Sequence, residues 1–225
     1  MLATKGMRFP IDIILVCIRW YSAYPLSYRH LEEMMPERGV FVDPSSINRW
    51  AIRLLPLLEK VCRKYKRQVG GSWRMDETYI KVKGVWKYLY RAVDREGKTV
   101  GFLLTAKRDK AAALRFFEKA MKASGVPEKV IMDKSGADKA AMDEINARGE
   151  TPIIVRQVKY LNNIVEQDHR AVKRVTKPML NFKSFRAAKS VLAGIELMHM
   201  IRKGQLMMEG CNARSFADQF YARSV

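Results

Sequence analysis

The protein has 225 residues and a formal net charge of +19 at pH 7. Its hydrophobic fraction of 48% is sufficient to bury a core, which excludes a disordered protein. The basic excess is +6 over residues 1–70, +5 over 71–155 and +8 over 156–225, so it is spread through the chain. A globular protein that is positive throughout is expected to bind a polyanion, usually nucleic acid. The alternatives are a membrane surface, which would require a basic amphipathic arm or an anchor, and a charge that serves solubility alone.

The cysteines indicate the compartment. Cys17, Cys62 and Cys211 are odd in number and far apart, so they form neither a disulfide framework nor a metal-ligand spacing. This usage is typical of a reducing cytosol. The apolar run at residues 11–18 is too short to cross a bilayer, is followed at once by Arg19, and lacks a signal-peptide cleavage pattern. We interpret it as part of a buried helix.

The first part of the chain predicts three helices. Apolar residues at helical spacing predict a helix over residues 10–23, which Pro25 ends. Ser27 is placed to cap a second helix with the sequence SYRHLEEMM. Asp43 is placed to cap a third, with Pro44 at its first position, where a missing N–H costs nothing.

The second and third helices have the order of a helix-turn-helix motif. In that motif the second helix lies in the major groove of DNA, with its N-terminal residues against base edges. We predict that the DNA contacts come from Ser45, Ser46, Asn48 and Arg49, which face outward in the first turns. The connection is longer than in most such motifs, so a plain three-helix packing unit is the alternative. Basic residues around Gly70 follow and predict a linker and a domain boundary near that residue.

From residue 73 the apolar period changes from that of a helix to that of a strand. The segments WRMDETYIKVKG, VWKYLYRAVD and KTVGFLLTA predict three strands in an antiparallel meander. The rest predicts, in order, a helix capped by Asp109, a strand at 130–132, a helix near 137–147, a strand at 153–155, a helix over 159–174 and a long helix near 184–203. This order predicts an α/β domain with a mixed five-stranded sheet and helices on both faces.

Three carboxylates stand where such a sheet would bring them together. Asp76 lies inside the first strand on a face shared with apolar residues, where an unpaired carboxylate is costly. Asp133 ends the fourth strand, at the edge where open α/β sheets bind ligands. Glu166 lies on the later helix that packs against the sheet. If the first and fourth strands are neighbours, the three oxygens form a site for Mg²⁺ or Mn²⁺, and two such ions suit phosphodiester chemistry.

The helix that carries Glu166 adds three nitrogen bases at helical spacing. His169, Arg170 and Lys173 follow Glu166 at i+3, i+4 and i+7, which predicts one shared face. Arg170 and Lys173 would hold substrate phosphates, and His169 would contact DNA or tune the site. Asp168 lies about 200° around the helix from Glu166 and is expected to point away.

Each carboxylate also has a simpler interpretation. Glu77 is adjacent to Asp76, and either could be the buried one; we expect Glu77 to face outward or to pair with a lysine. Asp133 could serve only as a helix cap, and Asp138 competes with it from inside a predicted helix. A lone helical glutamate such as Glu166 is usually solvated.

Long blocks of the chain resemble a known family. The segments WRMDETYIKVKGVWKYLYRAVDREGKT, VIMDKS, KYLNNIVEQDHRAVKR and GIELMHMIRKGQL resemble those of DDE-type bacterial insertion-sequence transposases of the IS-six family. The resemblance covers almost the whole chain and implies an RNase H-like fold, as in the integrase catalytic core. It implies that residues 1–70 form a helix-turn-helix domain with its linker and that 71–225 form the catalytic domain with C-terminal helices.

The resemblance also implies site residues. By motif, Asp76, Asp133 and Glu166 match the metal-binding catalytic acids of the family. Lys173 matches the basic residue that the family carries seven positions after its glutamate. Between Asp133 and Glu166 lie 32 residues, slightly fewer than is usual in the family.

The function implied is that of a DNA transposase. Such an enzyme binds the terminal inverted repeats of its element and joins their 3′-hydroxyl ends to target DNA by direct transesterification. It uses Mg²⁺ or Mn²⁺, with two ions expected, acts on double-stranded DNA as at least a dimer, and works in the bacterial cytoplasm with the nucleoid. Two alternatives remain: an inactive transposase that acts as a helix-turn-helix DNA-binding protein, and an RNase H-like nuclease that cuts DNA without joining it.

Overall fold

The structure is a computed structural model that describes residues 8–149, 151–158, 162–179, 181–207 and 215–222. Within those ranges the helices are α1 (Ile11–Ala23), α2 (Tyr28–Met34), α3 (Pro44–Arg63), α4 (Lys110–Ser124), α5 (Gly136–Arg148), α6 (Asn163–Thr176), α7 (Phe185–Arg202) and α8 (Phe216–Tyr221). The strands are β1 (Ser72–Val82), β2 (Val85–Asp94), β3 (Thr99–Thr105), β4 (Lys129–Met132) and β5 (Ile154–Gln157). Two compact units result, one of residues 1–67 with 172–225 and the other of residues 68–171.

The second unit is built on one five-stranded sheet. Its strand order is β3-β2-β1-β4-β5, with β1, β2 and β3 antiparallel and with β4 and β5 parallel to β1. This is the predicted mixed sheet, and its order is that of an RNase H-like fold. The first and fourth strands are neighbours, because Ser72–Arg74 of β1 pair with Lys129–Ile131 of β4. The condition on which the predicted site depends is therefore met.

The core of this unit lies between the sheet and the two helices that follow its strands. At Gly101 of β3 an added Cβ would lie 3.6 Å from Cβ of Ala120 on α4, which is ordinary van der Waals contact, so β3 and α4 pack directly against each other there. Burial of each large apolar side chain contributes about 1.5–3 kcal/mol. The largest fully buried members are Trp73, Met75, Tyr90, Phe116, Phe117, Met132 and Met142.

The helix starts that the sequence predicts are confirmed. Asp109 accepts a hydrogen bond from the backbone N–H of Ala112 at 2.8 Å and begins α4. Asp43 accepts from the backbone N–H of Ser45 at 2.7 Å, and α3 begins at the next residue. Ser27 caps α2 in the same way. Each cap satisfies an N–H group that the helix itself leaves without a partner.

The first unit is helical, and its centre is the packing of α3 against α7. Gly194 of α7 faces Leu55 of α3 so closely that a Cβ would lie 2.7 Å from a Leu55 methyl group. The C-terminal helices therefore pack with the N-terminal ones, whereas the predicted boundary at residue 70 assigns them to the catalytic domain. The predicted assignment of DNA recognition to residues 1–70 and of catalysis to residues 71–225 stays a prediction. Cys17 and Cys62 are buried free thiols here, and Cys211 lies outside the described residues.

Among the described residues, no helix combines the length and the apolar character that a membrane crossing demands.

Candidate active site

The three predicted carboxylates come from three different elements of the second unit. Asp76 lies in β1, and its side chain is 19% exposed. Asp133 follows the last residue of β4 and is half-buried. Glu166 lies in the first turn of α6 and is exposed. A strand interior, a strand end and a helix start thus contribute one acid each.

The electrostatics of Asp76 link the three acids. The pKa of Asp76 is raised from 3.8 to about 7, chiefly by burial and partly by the nearby charges of Glu77, Asp133 and Glu166, whereas a backbone hydrogen bond at Glu77 lowers it. A half-buried carboxyl group that senses two other predicted site acids is an arrangement that a cation would stabilise, because the cation offsets both the burial and the repulsion.

The donor chemistry of the site suits a hard divalent cation. Carboxylate oxygens are the ligands that Mg²⁺ and Mn²⁺ prefer. Within the ranges that the structure describes, no three His, Cys, Asp or Glu side chains already stand in coordinating positions. Of the three acids, Glu166 is the exposed one, so its side chain is able to change rotamer and complete a set of three carboxylate ligands.

A buried amide connects the two aspartate positions. The Nδ2 group of Asn162 donates to Oδ1 of Asp133 at 3.2 Å and to the carbonyl oxygen of Met75 at 3.3 Å. Asn162 is fully buried, and Met75 directly precedes Asp76 in β1. This side chain therefore ties β1 to Asp133 beside the site. The only local signal for it is a polar residue just before the helix that carries Glu166, which does not distinguish it from a helix cap.

Helix α6 is held on the sheet by its polar residues. Asp168 is buried, and its Oδ2 lies 2.7 Å from Nη2 of Arg91, a fully buried residue of β2. His169 is also buried, with Nε2 3.8 Å from Oδ2 of Asp76. This burial favours the role in which His169 tunes the site over the role in which it contacts DNA. Arg170 stays exposed on the same helix.

Glu77 belongs to a second acidic cluster on the opposite face of β1. Its side chain is 5% exposed and pairs with Arg108, whose Nε lies 3.0 Å from Oε1, instead of facing outward or pairing with a lysine. Asp138 is buried beside it, and burial raises the pKa of both acids; Asp138 raises the pKa of Glu77 further, whereas a side-chain hydrogen bond with Glu77 lowers that of Asp138. Asp138 therefore lies with Glu77 and does not take the place of Asp133.

The predicted DNA-contact residues of the first unit lie at the start of α3. Ser45 and Arg49 are exposed, whereas Ser46 and Asn48 are half-buried. Nη2 of Arg49 donates to Oγ of Ser46 at 3.0 Å, so the guanidinium is held over the first turn. On α6, Lys173 is exposed one turn after Arg170. These placements leave the guanidinium of Arg49 and the ammonium of Lys173 accessible to a phosphate or a base.

Residues 70–205 match the model of a family described as a DDE domain. The transposase for insertion sequence-like element IS431mec of Staphylococcus aureus is 41% identical over 198 residues, which cover 87% of each chain. The transposase for insertion sequence element IS257 in transposon Tn4003, also of Staphylococcus aureus, is 40% identical over 198 residues with the same coverage.

Two solved integrase core domains resemble part of this chain. The HTLV-2 integrase catalytic core domain in complex with magnesium has a TM-score of 0.47 and 16% identity, covering 59% of this chain and 88% of that one. The catalytic core domain of BIV integrase has a TM-score of 0.42 and 12% identity, covering 68% of this chain and 95% of that one.

Proposed function

The chain belongs to the DDE-domain transposases of insertion sequences, and on that basis we propose that it binds the terminal inverted repeats of its element and transfers their 3′ ends into target DNA. The observation that carries the proposal is the shared electrostatic environment of Asp76, Asp133 and Glu166. A protein that only binds DNA has no need of three acids that lie within electrostatic reach of one another.

Asp76, Asp133 and Glu166 are proposed to hold two Mg²⁺ or Mn²⁺ ions. Bound ions of this kind lower the pKa of the attacking water or 3′-hydroxyl and stabilise the leaving oxygen. Asn162 orients the Asp133 carboxylate through its hydrogen bond. His169, buried against Asp76, limits the directions that the Asp76 carboxylate can take.

The basic residues of α6 and α3 are proposed to hold the DNA. Arg170 and Lys173 follow Glu166 on the same helix and, being exposed, are available to the phosphates beside the scissile bond. At the start of α3, Ser45, Ser46, Asn48 and Arg49 are proposed to contact the inverted repeats, with His169 retained only as a site residue. Because transposition brings two element ends together, we further propose that the protein acts as a homo-oligomer, at least a dimer. It is proposed to work at the bacterial nucleoid.

In this proposal, residues 1–70 recognise the element ends and residues 71–225 carry the catalytic acids and the C-terminal helices. Helix α7 of the second segment packs against α3 of the first, so the two segments are tested together. Experiments on the proposal therefore use the full chain.

The test is a strand-transfer assay with labelled inverted-repeat ends, target DNA and Mg²⁺. The wild-type protein is expected to join ends to target, whereas Asp76→Asn, Asp133→Asn and Glu166→Gln bind the ends without joining them. Asp143→Asn is the control, because Asp143 is an exposed acid of α5 that pairs with Lys139 at the surface. Cutting without joining by the wild type would identify a nuclease instead, and binding with neither reaction would identify an inactive DNA-binding protein. Joining by Asp133→Asn at the wild-type rate would disprove the metal role of the three acids.

A further inference from the structure

The tip of the β1–β2 hairpin extends past both neighbouring strands. In the register of the described strands, β4 pairs with β1 only at Ser72–Arg74, and β3 pairs with β2 only from Tyr88 onward. Residues 80–87 are therefore paired only with one another. The turn is formed by Lys83 and Gly84, both with positive φ (48° and 76°), which is the two-residue turn that matches the twist of a hairpin.

This tip carries large aromatic side chains that remain in solvent. Trp86 is 57% exposed and Tyr79 is 50% exposed. Their rings lie 6.4 Å apart in an edge-to-face arrangement, and Tyr88 lies 5.5 Å from Tyr79 on the same face. Adjacent exposed aromatic rings are costly in water and usually indicate a binding surface.

The same hairpin tip carries three lysines and no acid in its sequence. Lys81 is the cross-strand partner of Trp86, and its Nζ lies 5.7 Å from the ring centroid. Lys83 lies in the turn, Lys87 follows Trp86 in β2, and the sequence from residue 78 to residue 93 contains no Asp or Glu. By contrast, Lys110 of α4 pairs with Glu144 at 2.7 Å.

We propose that this hairpin tip, residues 79–88, is a DNA-binding surface distinct from the carboxylate site. Lys81, Lys83 and Lys87 contact phosphates, and Trp86 stacks on a base that is not paired in the duplex. The inference rests on the proposed function, because DNA is the substrate there. Aromatic rings interleaved with cations are the features that bind unpaired nucleotides, since every base has a face on which to stack.

A second copy of this chain is the other partner that an exposed aromatic surface could accept. The lysines favour DNA, because lysine is depleted at the centre of protein–protein interfaces and its charge is complementary to phosphate. The net charge of +19 makes contact between two copies through a basic tip less favourable still. The experiment separates these two partners.

Binding of the full chain to labelled DNA is measured by fluorescence anisotropy without divalent metal, so that no strand is cut. One probe is a blunt duplex and the other is the same duplex with a short single-stranded overhang. Trp86→Ala is expected to weaken binding to the overhang probe by roughly 5- to 100-fold, which is the range for loss of one base–aromatic stack. It should affect the blunt probe much less, and Trp86→Phe should retain most of the preference.

The lysines are tested by salt dependence. The combined variant Lys81→Ala, Lys83→Ala, Lys87→Ala is expected to reduce the slope of log affinity against log salt by about 3, since each lost phosphate contact removes about one counterion. Its matched control removes three exposed lysines from α4 and α5 of the same unit: Lys110→Ala, Lys122→Ala, Lys139→Ala. Circular dichroism and thermal unfolding establish that every variant is folded.

Equal affinities and slopes for the two triple variants would overturn the proposal, as would an unchanged overhang preference in Trp86→Ala. If the hairpin variants lose the dimer in sedimentation but bind DNA as the wild type does, the proposal is overturned in favour of contact between two copies. Strand transfer by the wild type separates the two claims. If the wild type joins ends and the hairpin variants bind normally, only the hairpin inference fails; if the wild type never joins ends but the hairpin variants lose binding, only the proposed function fails.

Discussion

Arg91 and Asp168 form a buried ion pair that joins the centre of the sheet to helix α6. Nη2 of Arg91 lies 2.7 Å from Oδ2 of Asp168, and the two side chains are 1% and 7% exposed. Arg91 is the cross-strand partner of Asp76, and Asp168 lies two residues after Glu166. The pair therefore holds α6, which carries Glu166, against β2, which neighbours the strand that carries Asp76.

Removal of one partner of this pair tests its role. Asp168→Asn removes the carboxylate charge that pairs with the buried guanidinium of Arg91, and the expected loss in the free energy of unfolding is about 3–5 kcal/mol. Under conditions in which Asp168→Asn remains folded, its strand-transfer rate should fall by roughly 10- to 100-fold, because Glu166 is no longer held in position. Denaturant unfolding and the strand-transfer assay measure the two effects.

The control for this change is Asp143→Asn, which breaks the exposed pair between Asp143 and Lys139. A surface pair of this kind contributes about 0–1 kcal/mol, so the control should unfold almost as the wild type does. Similar unfolding of both variants would show that the Arg91–Asp168 pair does not anchor α6.

Asn162 provides a second test of how the site is positioned. Asn162→Ala removes the two hydrogen bonds to Asp133 and to Met75, and we expect strand transfer to fall by about tenfold or more, as loss of one or two hydrogen bonds of this kind produces. Because the amide orients a site acid and touches no DNA in this proposal, kcat should fall while KM for DNA ends stays unchanged. The Mg²⁺ concentration for half-maximal activity should rise.

Asn146→Ala is the matched control for Asn162. The Asn146 amide also makes two hydrogen bonds, both to the backbone of Ile153, but none to a site acid. It should reduce stability and leave the Mg²⁺ requirement unchanged. An equal shift in Mg²⁺ requirement for both variants would mean that Asn162 acts only through general stability.

The strands and the positions of the three acids follow from local patterns. The alternation in β1 predicts which face carries Asp76, and the short apolar strand β4 predicts that Asp133 stands at its end. Both strands lie where the pattern predicts them, and they are neighbours, which the pattern left as a condition. Local patterns suffice here because the period of a strand determines which of its residues face the core.

The contacts around the acids do not follow from local patterns. Arg91 lies in an aromatic strand and finds its partner Asp168 only when α6 packs on the sheet. Helical spacing predicts one face for His169 and Arg170, yet packing buries the first and leaves the second exposed. Glu77 is buried because α4 and α5 cover its face of the sheet, with Arg108 as its partner. Each contact joins residues that are distant in sequence, so it is determined by the fold.

Arg49 tests the recognition of the element ends. Arg49→Ala removes an exposed guanidinium from the start of α3, and we expect a loss of about 1–3 kcal/mol in binding to the cognate inverted repeat. Binding to a scrambled duplex should fall much less. Competition binding at about 150 mM salt measures the ratio of the two affinities.

Arg115→Ala is the control for Arg49, since it removes the same charge from an exposed position on α4. It should lower both affinities slightly and leave their ratio unchanged. A ratio that falls equally in both variants would show that Arg49 contributes only charge.

Asp76 predicts how the stability of the metal-free protein depends on pH. Because burial raises the pKa of Asp76 to about 7 in the folded protein, the folded state holds a proton that the unfolded state releases near 3.8. The folded protein is therefore favoured by this group below pH 4, and that contribution is lost as the pH rises to about 7. In EDTA, Asp76→Asn should unfold at higher denaturant than the wild type at pH 8, and the difference should shrink toward pH 4.

Divalent metal should reverse this penalty in the wild type alone. A cation competes with the proton on Asp76, so Mg²⁺ should raise the Tm of the wild type more at pH 8 than at pH 6. Asp76→Asn should show little shift at either pH, because the variant lacks the carboxylate for which proton and metal compete. Thermal unfolding with Mg²⁺ and with K⁺ at matched ionic strength measures this. A Tm increase of equal size in the wild type and in Asp76→Asn would mean that Mg²⁺ binds elsewhere and that the raised pKa of Asp76 is unrelated to metal binding.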